Sequence, residues 1–295
     1  MTALVHPLDW HLHIFWTVAL PALALLYWRA GRSIEPGPTR PQVARFVLAL
    51  AALAVATTWP LGDLAAHWSL VALVVQRLLL LLAIPPLLVS GTPRELIVRL
   101  TRPAGIDAVL RIAVKPVPAI AFVTAVSIGT LTTGAVALAA SSDVARVAFQ
   151  LLVLLGGLVL WAPVLAELPG VDRLSSLGRG GYLIVQSIVP SFLCIVWIFA
   201  KRPLYAAFDH HGTVFAMSPV LDQQVAGFLA KLTTIAVLWT VAFITMTRVQ
   251  AAGGVDEDGD PLMWSDVQRE IERADRRRKP RSPFLPPARP ADPDQ

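Results

Sequence analysis

Apolar residues in this chain come in long blocks, and polar residues gather in the short runs between them. The blocks are roughly 17–26 residues long, the length that crosses a bilayer as a helix. They predict seven spans, at about 12–29, 43–59, 68–90, 117–139, 147–166, 182–200 and 222–247. The expected fold is therefore all-α, a polytopic membrane protein built as a seven-helix bundle. The first block does not read as a signal peptide, because MTALVHPLDWHLH contains no Lys or Arg and no small-residue cleavage site follows it. No unit of roughly 20–50 residues repeats, which argues against a solenoid.

Charge orients the bundle. Alternate loops carry Arg29, Arg32, Arg40 and Arg45, then Arg94, Arg99, Arg102, Arg111 and Lys115, then Arg173 and Arg179, then Arg248, whereas the opposite loops carry only Arg146, Lys201 and Arg202. The positive-inside rule places the N-terminus outside and the C-terminus in the cytoplasm, which fits an odd number of spans in a cell membrane. Trp10, Trp59, Trp68 and Trp197 are then expected near the outer headgroups, with Trp28 and Trp161 near the inner ones.

Composition agrees. The 295 residues are 55% hydrophobic and only 15% charged, with mean hydropathy +0.62, against about 25% charge in an average globular chain. The single cysteine, Cys194, excludes an intrachain disulfide and a CxxC metal site. The net charge of +5 arises mostly in Arg-rich loops, so it speaks to topology and gives no reason to expect nucleic acid as a partner.

Residues 1–248 form the expected membrane domain and 249–295 a cytoplasmic tail. Gly253-Gly254 and the acids Asp256, Glu257, Asp258 and Asp260 break the last helix. Ser265 with Gln268 is a weak capping box for a short helix through Arg278, ahead of the basic run Arg276–Arg281. The proline-rich PFLPPARPADP that ends the tail favours a solvated, mostly disordered segment.

Ionisable groups inside the spans are rare, and each is a candidate for function. Arg77 and Lys231 lie about nine residues from the outer ends of their spans, roughly 14 Å deep at about 1.5 Å per residue. No acid lies at that depth; the nearest is Asp222, at the outer mouth of the last span. Together with Gln76, Gln150, Gln223 and Gln224, these residues are the candidates for a polar cavity; simple packing roles, with the cations snorkelling outward, are the alternative. All six histidines fall at predicted outer ends or loops. His210, His211 and His67 are the candidate copper or zinc ligands among them, and interfacial polar residues the plainer reading. His11 and His13 would point about 200° apart on a helix and could not both grip one ion there. Pro85-Pro86 is expected to kink the third span or end it early, and Gly156-Gly157 permits close helix contact. No P-loop, GxSxG or HExxH occurs.

Three segments carry a resemblance. WSLVALVVQRLLLLLAIPPLLVSGTP (Trp68 to Pro93), GGLVLWAPVL (Gly156 to Leu165) and MSPVLDQQVAGF (Met217 to Phe228) are similar, in order and spacing, to the CtaG family of cytochrome c oxidase assembly proteins. The SP-x-x-DQQ-x-AG segment is the most specific. The chain also departs from the family. Where that family usually has H-M-x-Q-H in the third span and a histidine in the fifth, this chain has Leu73, Val74, Arg77 and Gln150, so that only Gln76 and Asp222-Gln223-Gln224 match. Leucine is no metal ligand, and arginine is effectively never one.

The resemblance implies a non-enzymatic membrane factor that assists assembly or stabilisation of a haem–copper cytochrome c oxidase, with oxidase subunits and the lipid bilayer as partners. It requires no cofactor of this chain, although copper could be handled on the outer face by His210 and His211. The alternative is a transporter or channel for copper or a small anion, lined by Arg77, Lys231 and Gln150. A membrane enzyme would need a nucleophile, base or cofactor motif, and none is recognisable.

Overall fold

The computed structural model describes residues 11–165, 174–189, 192–208 and 217–251. The chain divides into two compact units, Met1–Arg248 and Val249–Gln295. The predicted tail helix falls outside the described residues, as do His210, His211 and Trp10.

The described residues are helical throughout, with no strand. Helix α1 is Ile14–Gly31 and α2 is Arg40–Thr57, followed by the short α3, Leu61–His67. Then come α4 (Leu70–Leu78), a π-helical turn (Leu79–Ala83) and α5 (Ile84–Gly91). Two short amphipathic helices, α6 (Arg94–Thr101) and α7 (Ala104–Ala113), lead to α8 (Pro116–Gly129) and α9 (Thr133–Ser141). The rest are α10 (Asp143–Leu165), α11 (Ser176–Ile188), α12 (Phe192–Phe199) and the long α13 (Pro219–Ala251).

Six segments are long and apolar enough to cross a membrane: Ile14–Gly31, Arg40–His67, Leu70–Gly91, Asp143–Leu165, Ser176–Phe199 and Pro219–Thr247. The expected straight helix over 117–139 is instead α8 and α9, bent by 64°, and this broken pair supplies a seventh crossing only if its halves count as one span. The cause is local hydrogen bonding in GTLTTG. Thr130 donates from Oγ1 to the Val126 carbonyl at 2.8 Å, and Thr132 donates to Gly129 at 3.0 Å while its hydroxyl accepts from the Ala135 amide. These hydroxyls stop one helix and cap the next.

Pro85-Pro86 does not end its span early, because the chain runs on helically to Gly91. The ladder widens ahead of the prolines, and the Ile84 amide bonds the carbonyl of Leu79, five residues back. Pro85 has no N–H to offer the Leu81 carbonyl. The Trp161 indole of α10 supplies the missing donor at 3.1 Å. That approach needs Gly157, where a Cβ would lie 2.8 Å from the carbonyls of Leu80 and Leu81 and 2.5 Å from Pro85 Cγ.

Helix α10 therefore packs along α5, the π turn, α8 and α9, and it forms the hub with the third span. Over half of the Leu70–Gly91 window is buried (56%), against 11% for α1, whose outer face is apolar and uncovered within the chain. Three apolar clusters fill the interior, centred on Leu73 and Trp197, on Leu160 and Leu183, and on Trp16 and Leu53. Close packing and interhelix hydrogen bonds hold such a bundle together, since lipid is as apolar as leucine.

The aromatic belt is smaller than expected. Trp28 and Trp59 are exposed, but Trp68, Trp161 and Trp197 are buried in the bundle. Trp161 and Trp197 find acceptors there, Leu81 O and the Tyr205 hydroxyl, which lets an indole leave the interface.

Candidate functional site

The SP-x-x-DQQ segment opens α13. Ser218 precedes the helix and accepts from the Leu221 amide at 3.3 Å, and Pro219 takes the first helical position, where its missing N–H is harmless. The next three polar side chains follow one another on the helix and so fan out by about 100° each. Each finds a different anchor. The Asp222 carboxylate accepts from Ser69 Oγ and from the Leu70 amide, both at 2.6 Å, and so sits on the N-terminus of α4. Gln223 Oε1 accepts from the Leu204 amide at 2.9 Å, and Gln224 Nε2 donates to the Ala200 carbonyl at 3.3 Å. An anion at a helix N-terminus meets unpaired amides and the positive end of the helix dipole. The motif is a staple between α13, α4 and the segment after α12.

The same end of the bundle carries a second chain of bonds. Trp197 donates to Tyr205, whose hydroxyl donates to the Leu131 carbonyl at 2.6 Å, just beyond the break after α8. Burial pushes the Tyr205 hydroxyl up to about 12, so it stays protonated and remains a donor.

Deeper in, the polar residues bind helices pairwise. Gln76 Nε2 donates to the Ala56 carbonyl of α2 at 2.7 Å. Gln150 Oε1 accepts from the Trp16 indole of α1 at 2.7 Å. Arg77 is 8% exposed and turns inward to α10, where Nη1 donates to the Phe149 carbonyl at 3.0 Å. Asp222 is not its partner, since both carboxylate oxygens are engaged by Ser69 and Leu70. Gln76, Arg77, Gln150 and Arg146 border one small space. Lys231 is half-buried on α13 within electrostatic reach of the Cys194 thiol. The seven polar candidates thus fall into three groups: the staple, the α4–α10 contact and Lys231.

On a helix His11 and His13 would face apart. Residues 11–13 are non-helical, and the two imidazoles converge on buried Asp63, with His13 Nε2 3.1 Å and His11 Nδ1 3.8 Å from its oxygens. His67 is half-buried at the end of α3. Among the described residues no group of three or more His, Cys, Asp or Glu side chains could hold a metal ion. At the positions where the resembling family has membrane histidines, Leu73 has no donor atom, Arg77 is a permanent cation and Gln150 already accepts an indole N–H. These side chains do not fit a copper ion. The hydrogen-bonding roles of Trp16 and Tyr205 carry no sequence signal, and Trp161, expected near the inner headgroups, instead faces the Leu81 carbonyl.

Fold and polar geometry together define a multi-span helical membrane protein whose buried polar groups mainly fasten helix to helix. The chain belongs to the cytochrome c oxidase caa3 assembly factor family (Caa3_CtaG), whose model matches residues 22–251. That stretch takes in the third span, α10 and the whole staple, and it ends where α13 ends. No curated protein matches the chain, and no solved structure does.

Proposed function

We propose that this chain is a non-enzymatic factor of the cell membrane that assists assembly or stabilisation of a caa3-type cytochrome c oxidase by docking its helix faces against oxidase subunits. The family match across residues 22–251 carries the reading. The geometry supports docking over carriage. Asp222, Gln223, Gln224, Gln76 and Gln150 are each engaged by hydrogen bonds between elements, which suits a rigid scaffold. The uncovered apolar face of α1, with Leu23, Leu26 and Trp28 exposed, is available to a membrane partner or to lipid. In this reading the bent α8–α9 pair completes seven crossings, with the staple on the outer side and the tail in the cytoplasm, as the cation split requires.

The side chains at the α4–α10 contact do not suit a metal and are held in helix-to-helix bonds, which supports docking over transport; His210 and His211, the outer-face copper candidates, lie outside the described residues. Gentle solubilisation of membranes carrying a tagged chain tests the docking. Oxidase subunits are expected to co-purify with it, and their absence under conditions that keep the oxidase itself intact would contradict the reading.

A further inference from the structure

Two side chains with unpartnered buried polar atoms, Arg77 and Gln186, meet at a partly open cavity of about 90 Å³ at the centre of the bundle. Its wall comes from α4, the π turn, α8, α10, α11, α12 and α13, and most of it is apolar, with Leu78, Leu81, Leu193, Trp197 and Leu238 prominent. Arg77, Gln186, Ser127, Thr130 and Thr234 are set into that wall. Gln186 is 1% exposed, and neither its Nε2 nor its Oε1 has a hydrogen-bond partner among the described residues. Both ends of a buried amide normally find partners, because leaving them unpaired forfeits their hydration without return. Arg77 donates to Phe149 through Nη1, but its Nε has no partner, and no described carboxylate lies within ion-pair distance of it. Helix α13 closes this side of the cavity with Ala230, Thr234 and Leu238, and Cys194 of α12 is also part of the wall.

A guanidinium and an amide donor on an apolar wall, with no counter-charge, call for an anion that brings its own apolar body. An inorganic ion would have to shed its water shell into a mostly hydrocarbon lining. A two-chain phospholipid head is too bulky for the space. A planar carboxylate matches the donor geometry of arginine, and a single acyl chain can lie along the leucines and leave through the open side.

We propose that this cavity binds a single-chain carboxylate amphiphile of the fatty-acid class, with its head on Arg77 Nε and Gln186 Nε2 and its chain along the leucine wall. The bilayer is the source of the ligand. The inference is independent of the role in oxidase assembly, because it is read by binding to the purified chain.

The test uses the full-length protein in neutral detergent and dibrominated stearate, which quenches nearby indoles. Trp197 faces the cavity, so part of the quenching from the nine tryptophans should saturate and should vanish in Trp197→Phe. Unlabelled stearate should compete. The dibrominated methyl ester, which lacks the charge, should bind about ten-fold more weakly, and Arg77→Gln and Gln186→Leu should each weaken the acid by about the same factor. If a variant does not fold, the acid-to-ester ratio on the unaltered protein decides. Equal affinity for acid and ester, unchanged affinity in both variants, or displacement of the acid by millimolar chloride or phosphate would overturn the proposal, the last marking a small-anion site.

Discussion

The Asp222 carboxylate holds the Ser69 hydroxyl at 2.6 Å, joining the start of α13 to the start of α4 across 153 residues of chain. Ser69 in turn caps α4 by accepting from the Ala72 amide. One aspartate thus satisfies a hydroxyl and a helix-terminal amide in a site where Asp222 is only 8% exposed. Asp222→Ala leaves both donors without that acceptor and should lower stability by about 2–3 kcal/mol. Asp222→Asn keeps one carbonyl oxygen and should lose roughly half as much. Thermal unfolding in detergent checks both; an unshifted midpoint for Asp222→Ala would remove the staple from the account.

The contact of Trp161 with the π turn makes a paired prediction. Trp161→Phe keeps the ring but loses the donor to Leu81 O, at an expected cost of about 1 kcal/mol. Gly157→Ala drives a methyl into the Leu80 and Leu81 carbonyls and should cost about 1–3 kcal/mol. At neighbouring Gly156 the nearest atom to a Cβ is Val126 Cγ1 at 3.4 Å, so Gly156→Ala should be tolerated. Comparing the yields of folded protein for the two alanine variants isolates close approach from general helix propensity.

Arg77 has a different signature. Its hydrogen bond goes to a helix carbonyl, and no described carboxylate balances its charge. Arg77→Leu removes a buried cation that costs about 2.5–3.5 kcal/mol at mid-membrane. The unfolding midpoint should therefore stay level or rise, even though the bond to the Phe149 carbonyl is lost. A large loss of stability would make Arg77 a structural residue and nothing more.

Hydropathy alone located six crossing segments, because a bilayer demands long apolar helices whatever they pack against, although the second runs on past its expected end to His67 and the fifth of these six starts earlier, at Ser176. The break at Thr130 was hidden in the same signal: GTLTTG is apolar enough to pass as span, yet its hydroxyls favour caps over a continuous helix. Asp222, Gln223 and Gln224 were legible as candidates from the motif, but their anchors were not, since Leu204 and Ala200 act through backbone groups that no side-chain pattern reveals. The same holds for Arg77 and the Phe149 carbonyl. Trp161 and Trp197 were misread as interfacial because an indole suits both a headgroup layer and a buried acceptor.

Orientation follows from the cation split and is open to a direct check. Reporter fusions at Ser176 and after Arg248 should read cytoplasm, and a fusion at Gly212 should read the outer side. A cytoplasmic signal at Gly212 would reverse the proposed placement of the staple.

The most direct test of the central claim is the amount of assembled caa3-type oxidase in membranes of a strain lacking this chain, measured by native gel and by the haem a difference spectrum. The account predicts a marked loss with oxidase transcripts unchanged, restored by the unaltered chain and only weakly by Asp222→Ala. Full levels of assembled, spectrally normal oxidase in the deletion strain would contradict it.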